Sequence, residues 1–133
     1  MPRTKVTIPN VAEAAPGLWS NCISAGDLLF IAGQVARPLE GGSTLVGSNE
    51  YEQTRQIFSR IKCICEGAGG SLDDIVKMTI YMVNIKNNTE VWRARREFFT
   101  GDFPPCVVLG GVAFTAPDML IEVDAWAILG CGE

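Results

Sequence analysis

The stretch MLIEVDAWAIL, residues 119–129, decides how the rest of the sequence is interpreted. The odd-numbered residues from 121 to 127 are apolar, whereas the even-numbered residues are Glu122, Asp124 and Trp126. This alternation is typical of a β-strand with one buried face. Two carboxylates therefore lie side by side on one face of an otherwise apolar strand, and their surroundings are the first functional question that the sequence raises.

The composition limits the class of protein. A chain of 133 residues predicts a single domain, 1–133, that is large enough to bury a core. Hydrophobic residues make up 47% and charged residues 20%, as in ordinary globular proteins. Because no apolar run reaches the length of a membrane span and the N-terminus lacks a secretory signal, we expect a cytoplasmic protein without a membrane partner.

The charge argues against a nucleic-acid partner. The formal net charge is −4, and the one basic cluster, Arg93, Arg95 and Arg96, falls in a predicted helix beside Glu90 and Glu97. Nucleic-acid binders usually carry a broad basic surface, which this sequence does not indicate.

The absence of histidine excludes further chemistry. It removes Ser-His-Asp and Cys-His catalysis, histidine-ligated metals and imidazole proton transfer. The five cysteines contain no C-x-x-C pair, so neither a zinc site nor a disulfide framework is predicted, and we expect no metal and no cofactor. Acid–base chemistry must then fall to carboxylates, cysteines, tyrosines, lysines or backbone-held water.

The pattern along the chain predicts an α+β fold. Strands are predicted at residues 5–8, 17–25, 27–35, 75–83, 106–114 and 119–129. One helix begins after Asn49 in a capping box with Glu52, and a second spans about residues 89–100 behind a cap at Asn87 or Asn88. The order β-β-β-α-β-α-β-β puts two helices on one face of a mixed sheet. Since nothing in the chain covers the other face, the protein is expected to self-associate through it.

Three stretches carry a resemblance to a known family: FIAGQV (30–35), the run EQTRQIFSRIKCICEGAGGSLDDIVKMTIYMVNI (52–85), and FPPCVVLGGVAFTAPDMLIEVDAWA (103–127). In this order and spacing the chain resembles the Rid/YjgF family of enamine and imine deaminases, some of which are labelled endoribonuclease L-PSP. The resemblance implies a chorismate-mutase-like fold, in which two helices back the sheet. Three subunits bring their sheets together in a central barrel, with a ligand cleft at each subunit interface.

The resemblance also implies a reaction and its residues. The usual reaction hydrolyses a 2-imino or 2-aminoacrylate species to a 2-keto acid and ammonia. The residue matching Glu122 handles the water or the proton, and Asp124 is expected nearby on the same strand face. Backbone groups at Gly33 and Gln34 match the turn that holds the substrate.

The chain departs from the family pattern in its pocket. Val107 occupies the position of an arginine that clamps the substrate carboxylate, and Leu109 follows on the same strand. Trp19 matches a cleft tyrosine, and Trp92 matches a polar position on the second helix. We therefore expect an apolar pocket with an aromatic rim, unless Arg93, Arg95 or Arg96 reaches in from the helix.

Each of these residues also has a purely structural interpretation. Glu122 could form an interface ion pair or a hydrogen bond to a neighbouring strand, and Asp124 could be structural. Large aromatic residues such as Trp19 and Trp92 often serve packing alone, and Gly33 could be a packing glycine.

Three functions follow from these observations. The first is an enzyme that acts on enamines, imines or other tautomerisable small molecules through Glu122. The second is a trimeric small-molecule binding or scavenging protein that has lost turnover together with its arginine. The third, a ribonuclease or translation inhibitor, is disfavoured because the chain lacks histidine and a basic groove.

Overall fold

The computed structural model describes residues 1–132 as a six-stranded sheet packed against two helices. The strands are β1 (Arg3–Lys5), β2 (Cys22–Ala25), β3 (Leu28–Gln34), β4 (Ile75–Met82), β5 (Cys106–Leu109) and β6 (Ile121–Ile128), and the helices are α1 (Glu50–Gly67) and α2 (Asn88–Phe98). Short 3-10 helices, Leu72–Asp74 and Ile85–Asn87, flank β4. The predicted α+β class and element order are confirmed.

The last strand lies in the middle of the sheet. The spatial order is β1-β2-β3-β6-β4-β5; β4 and β5 are parallel, and every other pair is antiparallel. The odd-numbered side chains of β6, from Ile121 to Ala127, are almost completely buried against the helices. Glu122, Asp124 and Trp126 consequently point to the opposite face of the sheet.

Helix α1 supplies much of the core. Its stripe of Ile57, Phe58, Ile61, Ile64 and Cys65 is fully buried. The predicted capping box forms only in part. The Asn49 side chain accepts a hydrogen bond from the Glu52 backbone at 2.9 Å, but the Glu52 carboxylate accepts from Ser48 instead of Asn49.

The cap of α2 differs from the prediction. Asn87 occupies the N-cap position, but its side chain makes no capping hydrogen bond. Its amide instead donates to Glu50 Oε2 at 2.6 Å. The side chain therefore ties the start of α2 to the start of α1.

Several strands are shorter than predicted. The first strand lies at Arg3–Lys5 instead of 5–8, because Ile8 turns into the core and packs beside Gly67 of α1. β2 begins only at Cys22, since Gly17 adopts a φ of +84° that interrupts an extended strand. β5 ends at Leu109, and Gly111 shortly after it has a φ of +71°.

The sheet face opposite the helices is open in the single chain. Its register aligns Leu109, Tyr81 and Glu122 in one row across β5, β4 and β6. Val107, Thr79 and Asp124 form the next row. The large apolar side chains on this face are between 37% and 49% exposed; they are Phe30, Val107, Leu109 and Trp126. A patch of this kind is typical of an interaction surface.

No helix within residues 1–132 is long and apolar enough to cross a membrane.

Candidate functional site

A pocket of about 380 Å³ lies where β3 and β6 run side by side. Its walls include four of the residues predicted from the sequence, which are Trp19, Gly33, Gln34 and Glu122. Ligand pockets commonly have volumes of about 300–1,000 Å³, so this one can hold a small molecule. The four residues are separated by up to about a hundred positions in the chain, and the sheet brings them together.

Glu122 is the acidic group on the β6 wall of this pocket. It pairs with Tyr81 across the sheet, and its side chain is half-buried. Burial raises the pKa of the Glu122 carboxyl above its usual value, and the negative charge of Asp124 raises it further. A carboxyl with a raised pKa is suited to exchanging protons near neutral pH.

Gly33 makes room for this carboxylate. The β3–β6 register shifts between Ile31 and Gln34, so that Gly33 lies in an irregular part of the strand. A Cβ atom on Gly33 would overlap Glu122 Oε1 and would lie 2.9 Å from its Cδ. Glycine at this position therefore leaves the space in which the Glu122 carboxylate lies directly against the backbone.

Gln34 fixes the shape of the same segment. Its amide donates to the Ala32 carbonyl at 3.1 Å, and its side-chain oxygen accepts from Arg60 Nε at 3.0 Å. Because the side chain is 2% exposed and bonded at both ends, Gln34 holds the β3 backbone in place next to Glu122.

Trp19 lines the pocket from the loop before β2. Its side chain is 53% exposed. An exposed indole beside a pocket offers a flat apolar surface on which a ligand can stack.

The other predicted residues lie outside this pocket of the single chain. Asp124, Val107 and Leu109 are on the open sheet face, where the Tyr81 hydroxyl is 3.5 Å from Asp124 Oδ2. Trp92 lies on α2, half-buried against the core.

Two arginines of α2 have partners on the helix side. Arg93 pairs with Glu90 at 3.1 Å, and its guanidinium lies 3.7 Å from the centre of the Tyr51 ring. The Arg95 guanidinium lies 4.5 Å from the centre of the Trp92 ring. Neither Arg93, Arg95 nor Arg96 lines the pocket of Glu122.

The sequence interpretation missed two basic residues in the pocket wall, Arg37 and Arg60. Arg37 follows β3 in the loop RPLEGG, residues 37–42. Arg60 lies between Ile57 and Ile61 on the buried face of α1. An arginine in an apolar helical stripe was the available signal, because a charged group is rarely buried without a specific reason.

The described residues contain no group of three or more cysteine, aspartate or glutamate side chains that could hold a metal ion.

Comparisons with known proteins agree with this fold. The family model described as Endoribonuclease L-PSP matches residues 10–129. A RutC family protein from Pyrococcus horikoshii is 37% identical over 118 residues, which cover 86% of this chain and 92% of that protein. A 2-iminobutanoate/2-iminopropanoate deaminase from Dermatophagoides farinae is 22% identical over 128 residues, covering 96% of this chain and 98% of that protein.

A solved structure extends the likeness to the whole backbone. YyfA from Yersinia pestis, a protein of the conserved Rid family, superimposes with a TM-score of 0.85 at 28% identity, covering 96% of this chain and 100% of that one. The match of the family model over most of the chain, together with these relatives, establishes that the chain belongs to the Rid/YjgF family.

Proposed function

We propose that this protein hydrolyses reactive imines and enamines, with Glu122 as the group that handles the proton or the water. Family membership supports a small-molecule, imine or enamine deaminase-like role. The observation that carries the finer assignment is the position of Glu122. Its carboxyl has a raised pKa, lies against the Gly33 backbone and lines a pocket of suitable size.

The chemistry needs one group that can both take and give a proton. Water adds to the carbon of the C=N bond while Glu122 removes a proton from that water. The same carboxyl then returns the proton to nitrogen, which gives a carbinolamine. Glu122 next removes the hydroxyl proton and delivers it to the amine as the C–N bond breaks, so that a ketone and ammonia leave. An enamine enters the same route after protonation at carbon. General acid–base catalysis of this kind typically contributes about 10²–10⁴ in rate.

The proposed active unit is a homotrimer with ligand clefts at the subunit interfaces. The open face, with exposed Phe30, Val107, Leu109 and Trp126, supports this assembly because a single chain leaves these side chains in water. Val107, Leu109 and Asp124 would then meet a neighbouring subunit. In the trimer they would contribute to the cleft together with Trp92.

The competing function is binding without turnover. Val107 stands where the family resemblance places an arginine clamp, which favours a pocket that has kept its shape but lost its reaction. The net charge of −4 weighs against the ribonuclease suggested by the description of the family model.

The test generates short-lived imines in situ and follows the release of keto acid. The substrates range from small 2-imino acids to large aromatic ones. We expect release above the buffer rate with wild type, a loss of about 10²–10⁴ with Glu122→Gln, and normal rates with Glu66→Gln, a control at an exposed site on α1.

The alternatives predict different results. Buffer rates across the whole panel would overturn the deaminase proposal. Saturable ligand binding that survives Glu122→Gln, in the absence of any turnover, would establish the binding function in its place.

A further inference from the structure

The pocket of Glu122 has a positively charged end that the proposed reaction does not yet use. Arg37, from the loop after β3, and Arg60, from α1, both line it. In the described part of the chain, neither guanidinium lies within 4 Å of a carboxylate, since the three salt bridges there join Lys5–Glu13, Arg55–Glu97 and Arg93–Glu90.

Arg60 is buried and held by neutral acceptors. Only 6% of its surface is exposed. Its Nε donates to Gln34 Oε1 at 3.0 Å, and its Nη1 donates to the Pro38 carbonyl at 2.8 Å and the Arg37 carbonyl at 3.3 Å. These acceptors satisfy the Arg60 donors, but they are neutral and do not compensate the positive charge of the guanidinium. Burial lowers the pKa of Arg60, and the nearby positive charge of Arg37 lowers it further.

Arg37 is anchored through its backbone. Its carbonyl accepts from Gln56 Nε2 at 2.9 Å in addition to the bond from Arg60. Two side chains of α1 thus hold the backbone at this position. Among residues 1–132, no hydrogen bond or salt bridge occupies the Arg37 guanidinium itself.

The acidic residues of the pocket do not neutralise this pair. Glu13 Oε2 accepts from Asn21 Nδ2 at 2.8 Å, and Glu13 Oε1 lies 3.7 Å from Lys5 Nζ. Glu122 forms no salt bridge with any described residue. Two like charges placed together without a counter-ion form a site that an anion stabilises.

We propose that Arg37 binds a carboxylate of the ligand and that Arg60 is a positioning residue for it. This inference rests on the proposed function and identifies the residue that recognises its substrate. The carboxylate of the imine is directed to the 37–42 loop, and the C=N bond is directed to Glu122. A guanidinium suits this role because its planar fork grips a carboxylate through two hydrogen bonds. The anion is thus recognised by the same chain that carries Glu122.

The test measures binding, so it does not depend on turnover. Benzoylformate, a stable aromatic 2-keto acid, and its uncharged methyl ester are titrated calorimetrically into the protein. Wild type is expected to bind the acid about tenfold or more tightly than the ester, since hydrogen bonds to charged groups give discrimination of that order. Arg37→Gln should bring the acid-to-ester ratio close to one while affinity for the ester is unchanged.

Two further variants define the roles. Arg60→Lys should lower the acid-to-ester ratio without weakening the ester, whereas a merely structural Arg60 would affect both ligands equally. Arg55→Gln is the matched control, because Arg55 is an exposed arginine on the same helix with Glu97 as its partner. It should keep the wild-type ratio.

The outcomes separate this inference from the proposed reaction. An unchanged ratio in Arg37→Gln, or no saturable binding of either ligand to wild type, would overturn the inference even if imines are hydrolysed. A ratio that falls only in the Arg37 and Arg60 variants would support it even if no imine is hydrolysed, and the proposed reaction alone would then fail.

Discussion

At the scale of single residues, the contact between Gly33 and Glu122 is the most sensitive point of the site. In Gly33→Ala the new Cβ would occupy the place of Glu122 Oε1 and push the carboxylate aside. We expect kcat/KM for imine hydrolysis to fall by about tenfold to a hundredfold, because small displacements of a catalytic group are costly. Initial rates across a range of substrate concentrations provide the measurement.

The fold should tolerate the same change. Gly33 does not need a positive φ, and the carboxyl that it displaces is the end of a flexible side chain. The melting temperature should therefore stay within about 4 °C of the wild type. Full activity in Gly33→Ala would show that the position of Glu122 does not matter to catalysis.

Asp124 should act on the reaction through the pKa of Glu122. Its negative charge raises that pKa. In Asp124→Asn the pKa of Glu122 should fall, so the limb of the pH–rate profile that reports Glu122 should move to lower pH. The limb should move to lower pH whether the ionised or the neutral form of Glu122 is the active one. A profile that does not move, or that moves to higher pH, would contradict this electrostatic coupling.

The sequence predicted part of the site and missed another part for a physical reason. Glu122 stood out because a carboxylate interrupts an apolar strand, and Gly33 and Trp19 followed from the family resemblance. Arg37 and Arg60 did not stand out, because their pairing depends on where the loop after β3 folds back onto α1. No local pattern encodes that contact.

At the scale of elements, Gln53 of α1 holds the chain just before β6. It is 1% exposed. Its amide donates to the Asp118 carbonyl at 2.8 Å and the Gly47 carbonyl at 3.2 Å, and its oxygen accepts from the Leu120 backbone at 3.0 Å. The Gln53 side chain therefore fixes the backbone just before β6, the strand that carries Glu122.

Replacing Gln53 with leucine should destabilise the protein without creating a large cavity. Gln53→Leu has a similar volume but leaves buried backbone groups without partners, each of which costs about 1–3 kcal/mol. We expect the free energy of unfolding to fall by about 2–4 kcal/mol in chemical denaturation at a fixed protein concentration. Lys62→Ala, at an exposed position on the same helix, should change it by less than about 0.5 kcal/mol. Equal effects of the two changes would contradict this role.

The elements themselves were largely predictable, and their ends were not. The alternation in β6 and the apolar stripe of α1 depend on local periodicity, so both were found from the sequence. The first strand was misplaced because Ile8 packs against Gly67, a contact that only the tertiary structure reveals. Asn87, one of the two predicted caps, occupies the N-cap position of α2, but its side chain makes no capping hydrogen bond because it donates to Glu50.

At the scale of the whole molecule, the open sheet face should determine the oligomeric state. Trp126 packs edge-on against Phe30 with ring centres 5.3 Å apart, and both are partly exposed. In Trp126→Lys a charge would replace an aromatic side chain in the proposed interface, where an unpaired buried charge is costly. Light scattering after size exclusion should give about three times 14.4 kDa for wild type and a smaller mass for the variant.

The control for Trp126→Lys introduces a lysine outside the open sheet face. Val46→Lys changes an apolar loop residue that is 41% exposed, and it should keep the wild-type mass. A wild-type mass near 14.4 kDa, or an unchanged mass in Trp126→Lys, would contradict assembly through this face.

The open sheet face could be predicted from the sequence, whereas the arrangement of the subunits proposed to cover it could not. Two helices can cover only one face of a mixed sheet, and β6 has only small or apolar residues on the covered side. The number of subunits depends on the angle at which open faces meet. One chain does not encode that angle in any local pattern, so the proposal of a trimer rests on the family resemblance.

The most direct measurement of the central claim is a crystal structure with benzoylformate bound. The keto carbon of the ligand is expected to lie within reach of the Glu122 carboxylate, next to Gly33, with the aromatic ring near Trp19. A ligand bound away from Glu122 would contradict the claim that Glu122 carries the chemistry.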